Sequence, residues 1–305
     1  MTIVTVAASD AGRSGIAAVR AMLAERAQSA DTPLSERRQR MEEFAAAAPA
    51  VMSVEIEEGV LDGRRVLRAV PPQPIGDTLF LHGGAYVLGS ATTHIKLAAR
   101  YAAVSNLTFT VVDYRLAPEH RYPAALDDVL AAWSVLATPG RRVALAGDSA
   151  GGGLALAAAI AIRDRGLVAP AILGLVAPWI DLTMAGDSMT RNAPHDPMLS
   201  RAGLIADADR YRGKMPAGDP RISPLFADLA GLPPLFVQVG GNEVLLDDTL
   251  RLHARAEAAG VTCEVELWAE MTHAFGAFGA MVPEAGESIR HFGSALSAGV
   301  GRSRG

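Results

Sequence analysis

The sequence predicts an α/β protein with a mostly parallel sheet and helices on both faces. Short apolar runs alternate with helical segments along most of the chain. An alternating stretch with a tight-turn dipeptide precedes them, as an antiparallel pair would. A strand, a sharp Gly-rich turn and a long Ala-rich helical run follow one another at 142–164. At 305 residues, half of them hydrophobic, the chain is ample for a large buried core in one domain.

Residues 14–48 read as helix. "IAAVRAMLAERAQ" sets Ile16, Val19, Met22 and Leu23 on one face at helical spacing. "PLSERRQRMEEFAAAA" continues after Pro33, and Pro49 stops it. "VMSVEIEEGVLDGRRVLRAV" alternates and carries Asp62-Gly63, so it reads as two antiparallel strands. Strands are then expected at 78–82, 107–114, 142–147, 171–176, 235–240 and 262–268. Helices are expected at about 91–104, 124–137, 150–164, 247–259 and 284–298. Between 177 and 234 there is no strand candidate, only polar, Met- and Pro-punctuated sequence with a helix near 200–212. An insertion of that size reads as a functional lid. About 1–48 and about 181–220 are expected to form a helical cap over the mouth of the sheet.

Composition narrows the partners. Net charge is −5 and no long Lys/Arg run occurs, so nucleic acid is not expected. Cys263 is the lone cysteine, which excludes an internal disulfide and reads as a buried apolar filler. "MTIVTVAASDAGRSG" lacks a charged n-region followed by an apolar core, and no apolar run is long enough for a membrane span. A soluble cytoplasmic protein is the expectation, with a homodimer as an open option.

The chemistry centres on "ALAGDSAGGGLALAAAIA" (144–161). Ser149 sits between Gly147 and Gly151, where any side chain two residues away would collide with a nucleophile held at the tip of a strained turn. The following helix points its N-terminus at the serine, and its free N–H groups can hold an oxyanion. "LFLHGGAYVLGS" (79–90) places His82-Gly83-Gly84 directly after a strand. The N–H groups of Gly83, Gly84 and Ala150 are then expected to form a three-donor oxyanion hole.

A serine hydroxyl needs a base. In a fold with a nucleophile on such a turn, the partners follow in chain order as acid and then His, the His after the last strand. His273 in "WAEMTHAFGAF" fits, whereas His253 and His291 fall within helical patterns and read as surface residues. For the acid, "GGNEVLLDDT" offers Glu243, Asp247 and Asp248. Glu243 lies in the loop just past its strand and is preferred over Asp247. Asp247 and Asp248 fall at a helix start, where capping is the ordinary role.

Three motifs carry a resemblance: "HGGAYVLGS", "VVDYRLAPEHRYPAALDD" and "GDSAGGGLA". The chain resembles the hormone-sensitive-lipase-like bacterial esterases of the α/β-hydrolase superfamily, over roughly residues 15–298. The resemblance implies an α/β-hydrolase fold with a helical cap. It places the nucleophile on Ser149, the base on His273, and the oxyanion donors on Gly83, Gly84 and Ala150. The third glycine of the family's HGGG is Ala85 here. Where the family often has Asp-Pro-Leu this chain has Glu243-Val244-Leu245, so the acid falls on Glu243. Asp113, Tyr114, Arg115 and Glu119 read as a polar lattice behind the oxyanion loop, with Asp148 supportive. The activity implied is hydrolysis of short-chain acyl esters, with lactones as a variant, and no metal or organic cofactor. Two alternatives stand beside it: an amide or N-acetyl hydrolase with the same residues, and a ligand-binding receptor on the same fold, against which the presence of His273 argues.

Overall fold

Each apolar run expected to form a strand does so. The structure, a computed structural model, describes residues 2–25 and 32–301. Among these, nine strands form one sheet in the order β1-β9-β8-β7-β6-β4-β5-β3-β2. They are β1 (Thr2–Val6), β2 (Glu55–Leu61), β3 (Arg64–Val70), β4 (Gly76–Leu81), β5 (Leu107–Val112), β6 (Val143–Asp148), β7 (Leu173–Val176), β8 (Leu235–Gly240) and β9 (Cys263–Trp268). Neighbouring strands from β1 through to β5 are parallel, and only β5–β3 and β3–β2 are antiparallel. The β2–β3 hairpin turns at Asp62 and Gly63, which both take positive φ, as a tight two-residue turn requires.

The helices are α1 (Asp10–Glu25), α2 (Leu34–Ala46), α3 (Ala91–Ser105), α4 (Ala124–Leu136), α5 (Ala150–Asp164), α6 (Ser188–Arg191), α7 (Arg201–Arg212), α8 (Leu246–Ala258) and α9 (Pro283–Gly301). One core cluster joins a sheet face to α4, α5 and α8, through side chains such as Val129, Leu154 and Leu252. A second joins the other face to α3 and α9, through Ala98, Ala102, Phe292 and Leu296. Burial on both faces is why the central strands β5, β6, β7 and β8 are buried at every position. No helix among the described residues is long and apolar enough to cross a membrane.

The strand order locates the site. From β4 the chain moves to β5 on one side, and then crosses to β6 on the other. Loops leaving β4 and β6 therefore diverge at a switch point, where α/β sheets bind ligands at their carboxyl ends. Leu81 of β4 is in register with Gly147 of β6, so the His82-Gly83-Gly84 loop and Ser149 emerge side by side.

The N-terminus departs from the expectation of helix alone. All five residues of β1 are β-branched, and the strand pairs in parallel with β9 as a mostly exposed edge. The helix expected over 14–48 appears as α1 and α2, and residues 26–31 between them lie outside the described residues. The face built from Ile16, Val19, Met22 and Leu23 does pack. It joins Trp268, Met271, Phe275, Phe278 and Val282 around the loop after β9. Ser9 fixes the docking, since its N–H and hydroxyl both donate to Glu284 of α9, each at 2.7 Å. The two stretches expected to form a cap meet through an ion pair: Arg37 of α2 grips Asp207 of α7 with two hydrogen bonds of 3.0 and 2.7 Å.

Candidate active site

Ser149 takes φ 54° and ψ −123°, backbone space that a side chain adopts only when its surroundings enforce it. Enforcement comes from hydrogen bonds: Ser149 N–H donates to Val176 O at 2.8 Å, and Ser149 O accepts from Trp179 N at 2.9 Å. The flanking glycines are obligatory. A Cβ on Gly147 would lie 2.4 Å from Gly151 O, and one on Gly151 would lie 2.0 Å from Leu81 O. The turn leaves Ser149 partly exposed at the start of α5, with its hydroxyl 3.0 Å from His273 Nε2.

His273 and Glu243 are both buried. His273 Nδ1 lies 2.6 Å from Glu243 Oε2, and Gly240 N–H donates to Glu243 Oε1 at 2.6 Å. The two loops that carry them are stitched together: Gly241 N donates to Trp268 O and Asn242 N to Met271 O. Burial pushes His273 toward its neutral form, but the Glu243 carboxylate outweighs it, helped by Asp196 and Asp148, and holds the imidazole above its ordinary pKa. Burial pushes the Glu243 carboxyl up, against the pull of the imidazole and the Gly240 N–H.

Asp247 and Asp248 do not reach His273, and they do not cap α8 either. Both stand inside its first turn and hold the insertion. Asp248 Oδ2 accepts from the N–H groups of Ile180 and Asp181, both at 3.0 Å, and burial pushes its carboxyl up to about 8. Asp247 accepts from Ser188 N at 2.9 Å and pairs with Arg191 at 3.0 Å.

The loop after β4 differs from expectation at one residue. Gly83 N–H donates to Asp148 Oδ1 at 3.0 Å, with His94 Nε2 at 3.3 Å. A proton committed to a buried carboxylate is not offered to a substrate, so Gly83 leaves the expected donor set. The N–H groups of Gly84, Ala85 and Ala150 have no acceptor among the described residues. Gly84, Ala85 and Tyr86 all have positive φ, which turns this backbone sharply between β4 and α3. Burial works against ionisation of Asp148, yet His94, His82 and His273 hold its carboxyl below the usual range.

Of the four residues expected in a polar lattice, Tyr114 bonds the loop after β4 and Asp113 the start of α3, whereas Arg115 and Glu119 bond elsewhere, and Arg38 is an addition. Tyr114 stacks on His82 at 4.1 Å between ring centroids and donates to His82 O at 2.6 Å. Burial and the neighbouring His94 hold His82 down at about 4. Asp113 pairs with Arg65 at 2.9 Å, and Arg115 with Asp128 at 2.8 Å. Glu119 faces outward to Arg38 of α2, whose guanidinium also donates to Val87 O at 2.8 Å and Ala117 O at 3.0 Å. Arg38 thus ties the N-terminal segment to the loop after β4. Its place among several basic residues of an exposed helix gave no hint of that. His253 and His291 lie in helices as expected, but half-buried, and His291 meets Glu266 at 2.9 Å. Cys263 is buried, which pushes its thiol up to about 12.

A family model described as the alpha/beta hydrolase fold matches residues 78–277. The chain belongs to the α/β-hydrolase family. Among relatives of this hydrolase, an esterase of Acinetobacter venetianus is 40% identical over 213 residues, which is 68% of this chain and 70% of that protein. An acetyl-hydrolase of Streptomyces hygroscopicus is 39% identical over 235 residues, 76% of this chain and 79% of that one. A solved esterase of the bacterial hormone-sensitive lipase family superposes with a TM-score of 0.90 at 37% identity, covering 94% of this chain and 98% of its own. The hydrolase is therefore a member of the hormone-sensitive-lipase-like branch that its motifs resemble.

Proposed function

We propose that this hydrolase is a carboxylesterase that cleaves short-chain acyl esters through an acyl-enzyme on Ser149. The observation that carries the reading is the aligned pair of contacts, Ser149 Oγ to His273 Nε2 at 3.0 Å and His273 Nδ1 to Glu243 at 2.6 Å. His273 accepts the hydroxyl proton as Ser149 attacks the ester carbonyl, and then returns it to the leaving alcohol. Glu243 holds the imidazole in the tautomer with its proton on Nδ1 and stabilises the imidazolium. Gly84 and Ala150, with Ala85 in place of Gly83, donate to the oxyanion at the N-terminus of α5. Water, activated by His273, then releases the acid. Lactones would open by the same steps.

The test is a substrate panel read against pH. Turnover of p-nitrophenyl acetate and butyrate is expected to exceed that of long-chain esters and of acetanilide. Faster turnover of the anilide would favour an amide hydrolase on the same residues, and no turnover at all a binding protein. The catalytic form needs His273 neutral. Because its carboxylate neighbours raise its pKa, kcat/KM should climb with pH through a midpoint above the ordinary imidazole value of about 6.5. A midpoint below that value would contradict the ion-pair reading.

We read α2 and α7, joined by Arg37 and Asp207, as parts of the cap, and β1 with α1 as a brace for the base-bearing loop. Deleting residues 2–25 would uncover Trp268, Met271 and Phe275 and free one side of β9. The truncated chain is expected to aggregate or to lose most of its ester turnover, as gel filtration and a p-nitrophenyl acetate assay would report. A soluble monodisperse truncation with unchanged kcat would remove the brace.

A further inference from the structure

The insertion after β7 touches the acid-bearing loop at three evenly spaced side chains. Ser188, Asn192 and Asp196 stand four residues apart, and successive backbone bonds wind them onto one face: Asn192 N to Ser188 O at 2.9 Å and Asp196 N to Asn192 O at 3.0 Å. All three side chains engage residues 241–244. Ser188 Oγ donates to Val244 O at 2.6 Å. Asn192 Nδ2 donates to Gly241 O at 3.0 Å and to Glu243 O at 2.8 Å. Asp196 Oδ2 accepts from Val244 N at 3.0 Å, while its Oδ1 accepts from Met198 N and Leu199 N, both at 2.9 Å. All three residues are buried.

We propose that Ser188, Asn192 and Asp196 are positioning residues for the reaction, a polar clamp by which the insertion fixes the backbone on both sides of Glu243 and so aims its carboxylate at His273. The proposal rests on the reading of Glu243 as the acid. The loop needs such a clamp. Glu243 lies in a short turn between β8 and α8, outside the regular hydrogen bonding of either element. The 2.6 Å contact to His273 depends on where the Glu243 main chain sits, and that chain is gripped at the carbonyls of Gly241, Glu243 and Val244 and at the N–H of Val244. A displacement of about 1 Å at a catalytic group can cost about 10²-fold in rate.

Asp196 adds a charge to the same arrangement. The ionisable groups that act on His273 are Glu243 from the loop after β8, Asp196 from the insertion and Asp148 from the end of β6. On its outer side Asp196 shares a cleft with Arg20 of α1, which donates to Pro194 O at 3.1 Å. Asp196 therefore supports the imidazolium from a distance as well as bracing the loop. A carboxamide there would offer one acceptor oxygen where three N–H groups converge.

The test uses the full chain with Ser188→Ala, Asn192→Ala and Asp196→Asn, beside Glu243→Gln as reference. Each is assayed with p-nitrophenyl acetate, with circular dichroism as the check on folding. Asn192→Ala and Asp196→Asn are expected to lower kcat about 10–100-fold with KM within about twofold, since the loss lies in positioning and not in substrate contact. Asp196→Asn should also move the acidic midpoint of kcat/KM downward, because one anion near the imidazolium is gone. In all three, the downfield proton resonance of the His273–Glu243 hydrogen bond should weaken. Folded variants with unchanged kcat, or with lowered kcat but the midpoint and resonance of the parent, overturn the clamp. So does failure of all three to fold, which would make the residues structural only. Full activity in Glu243→Gln overturns the acid assignment beneath the proposal, and the clamp with it.

Discussion

Replacing Ser149 with alanine should lower ester turnover by about 10³-fold or more while leaving the fold in place, the loss expected when a catalytic nucleophile is removed. The separation of the two effects follows from geometry. Alanine keeps the Cβ that this turn already accommodates, and the bonds that enforce its backbone are made by the main chain to Val176 and Trp179. What the substitution takes away is the hydrogen bond between the hydroxyl and His273 Nε2, 3.0 Å long. The remaining N–H groups near the turn can still polarise a carbonyl, so a residual rate above that in water is expected. The measurement is kcat for p-nitrophenyl acetate beside the thermal midpoint of each protein. A variant with near-parental turnover would sink the covalent reading altogether. Gly147→Ala and Gly151→Ala behave oppositely in this picture, because their new Cβ atoms would press on backbone and disturb the turn itself.

Much of this architecture could be read from the chain because its signals are local. The runs that became β4 to β8 are apolar and bounded by helical periodicity, and a parallel sheet covered on both faces makes such runs obligatory. Ser149 was legible for a steric reason, since only glycine fits at 147 and 151. His273 and Glu243 were legible by position, each in the loop that follows a strand. Three things were not legible. β1 carries its signal in five β-branched residues, but with one neighbour and little burial it lacks the context that separates a strand from an extended tail. Gly83 was expected to donate to substrate because a Gly-Gly pair after a strand says only that the backbone can approach. Which N–H points where depends on Asp148, 65 residues away. The carboxylates at 247 and 248 looked like caps because capping is the commonest reason for Asp at a helix start. Their true partners lie in the insertion, 56 to 68 residues distant in sequence. In each case the missing information was a contact between segments remote in the chain, which periodicity and spacing do not encode.

Replacing Glu243 with glutamine should cut kcat by about 10²–10⁴-fold with little change in KM, because the orienting acid acts chiefly in the transition state. The size of the effect comes from two donors that meet at one carboxylate. Oε1 receives the Gly240 N–H and Oε2 faces His273 Nδ1, each at 2.6 Å. A glutamine amide offers one acceptor and one donor group. If its oxygen faces Nδ1, its NH₂ confronts the Gly240 N–H inside the protein, and two donors repel. If it flips, the NH₂ faces Nδ1 and selects the tautomer whose proton sits on Nε2, aimed at Ser149, where a base must be vacant. Either orientation also removes the negative charge that stabilises the imidazolium. Asp247→Asn and Asp248→Asn should be far milder in kcat. Their carboxylates bind the insertion at the N–H groups of Ser188, Ile180 and Asp181, from which an amide oxygen can still accept, and Asp247→Asn loses only the ion pair with the Arg191 guanidinium. Determining all three kcat values on one substrate decides the matter. If Asp247→Asn were the crippled variant and Glu243→Gln the active one, the acid would lie a helical turn further along, and the 2.6 Å contact to His273 would be structural.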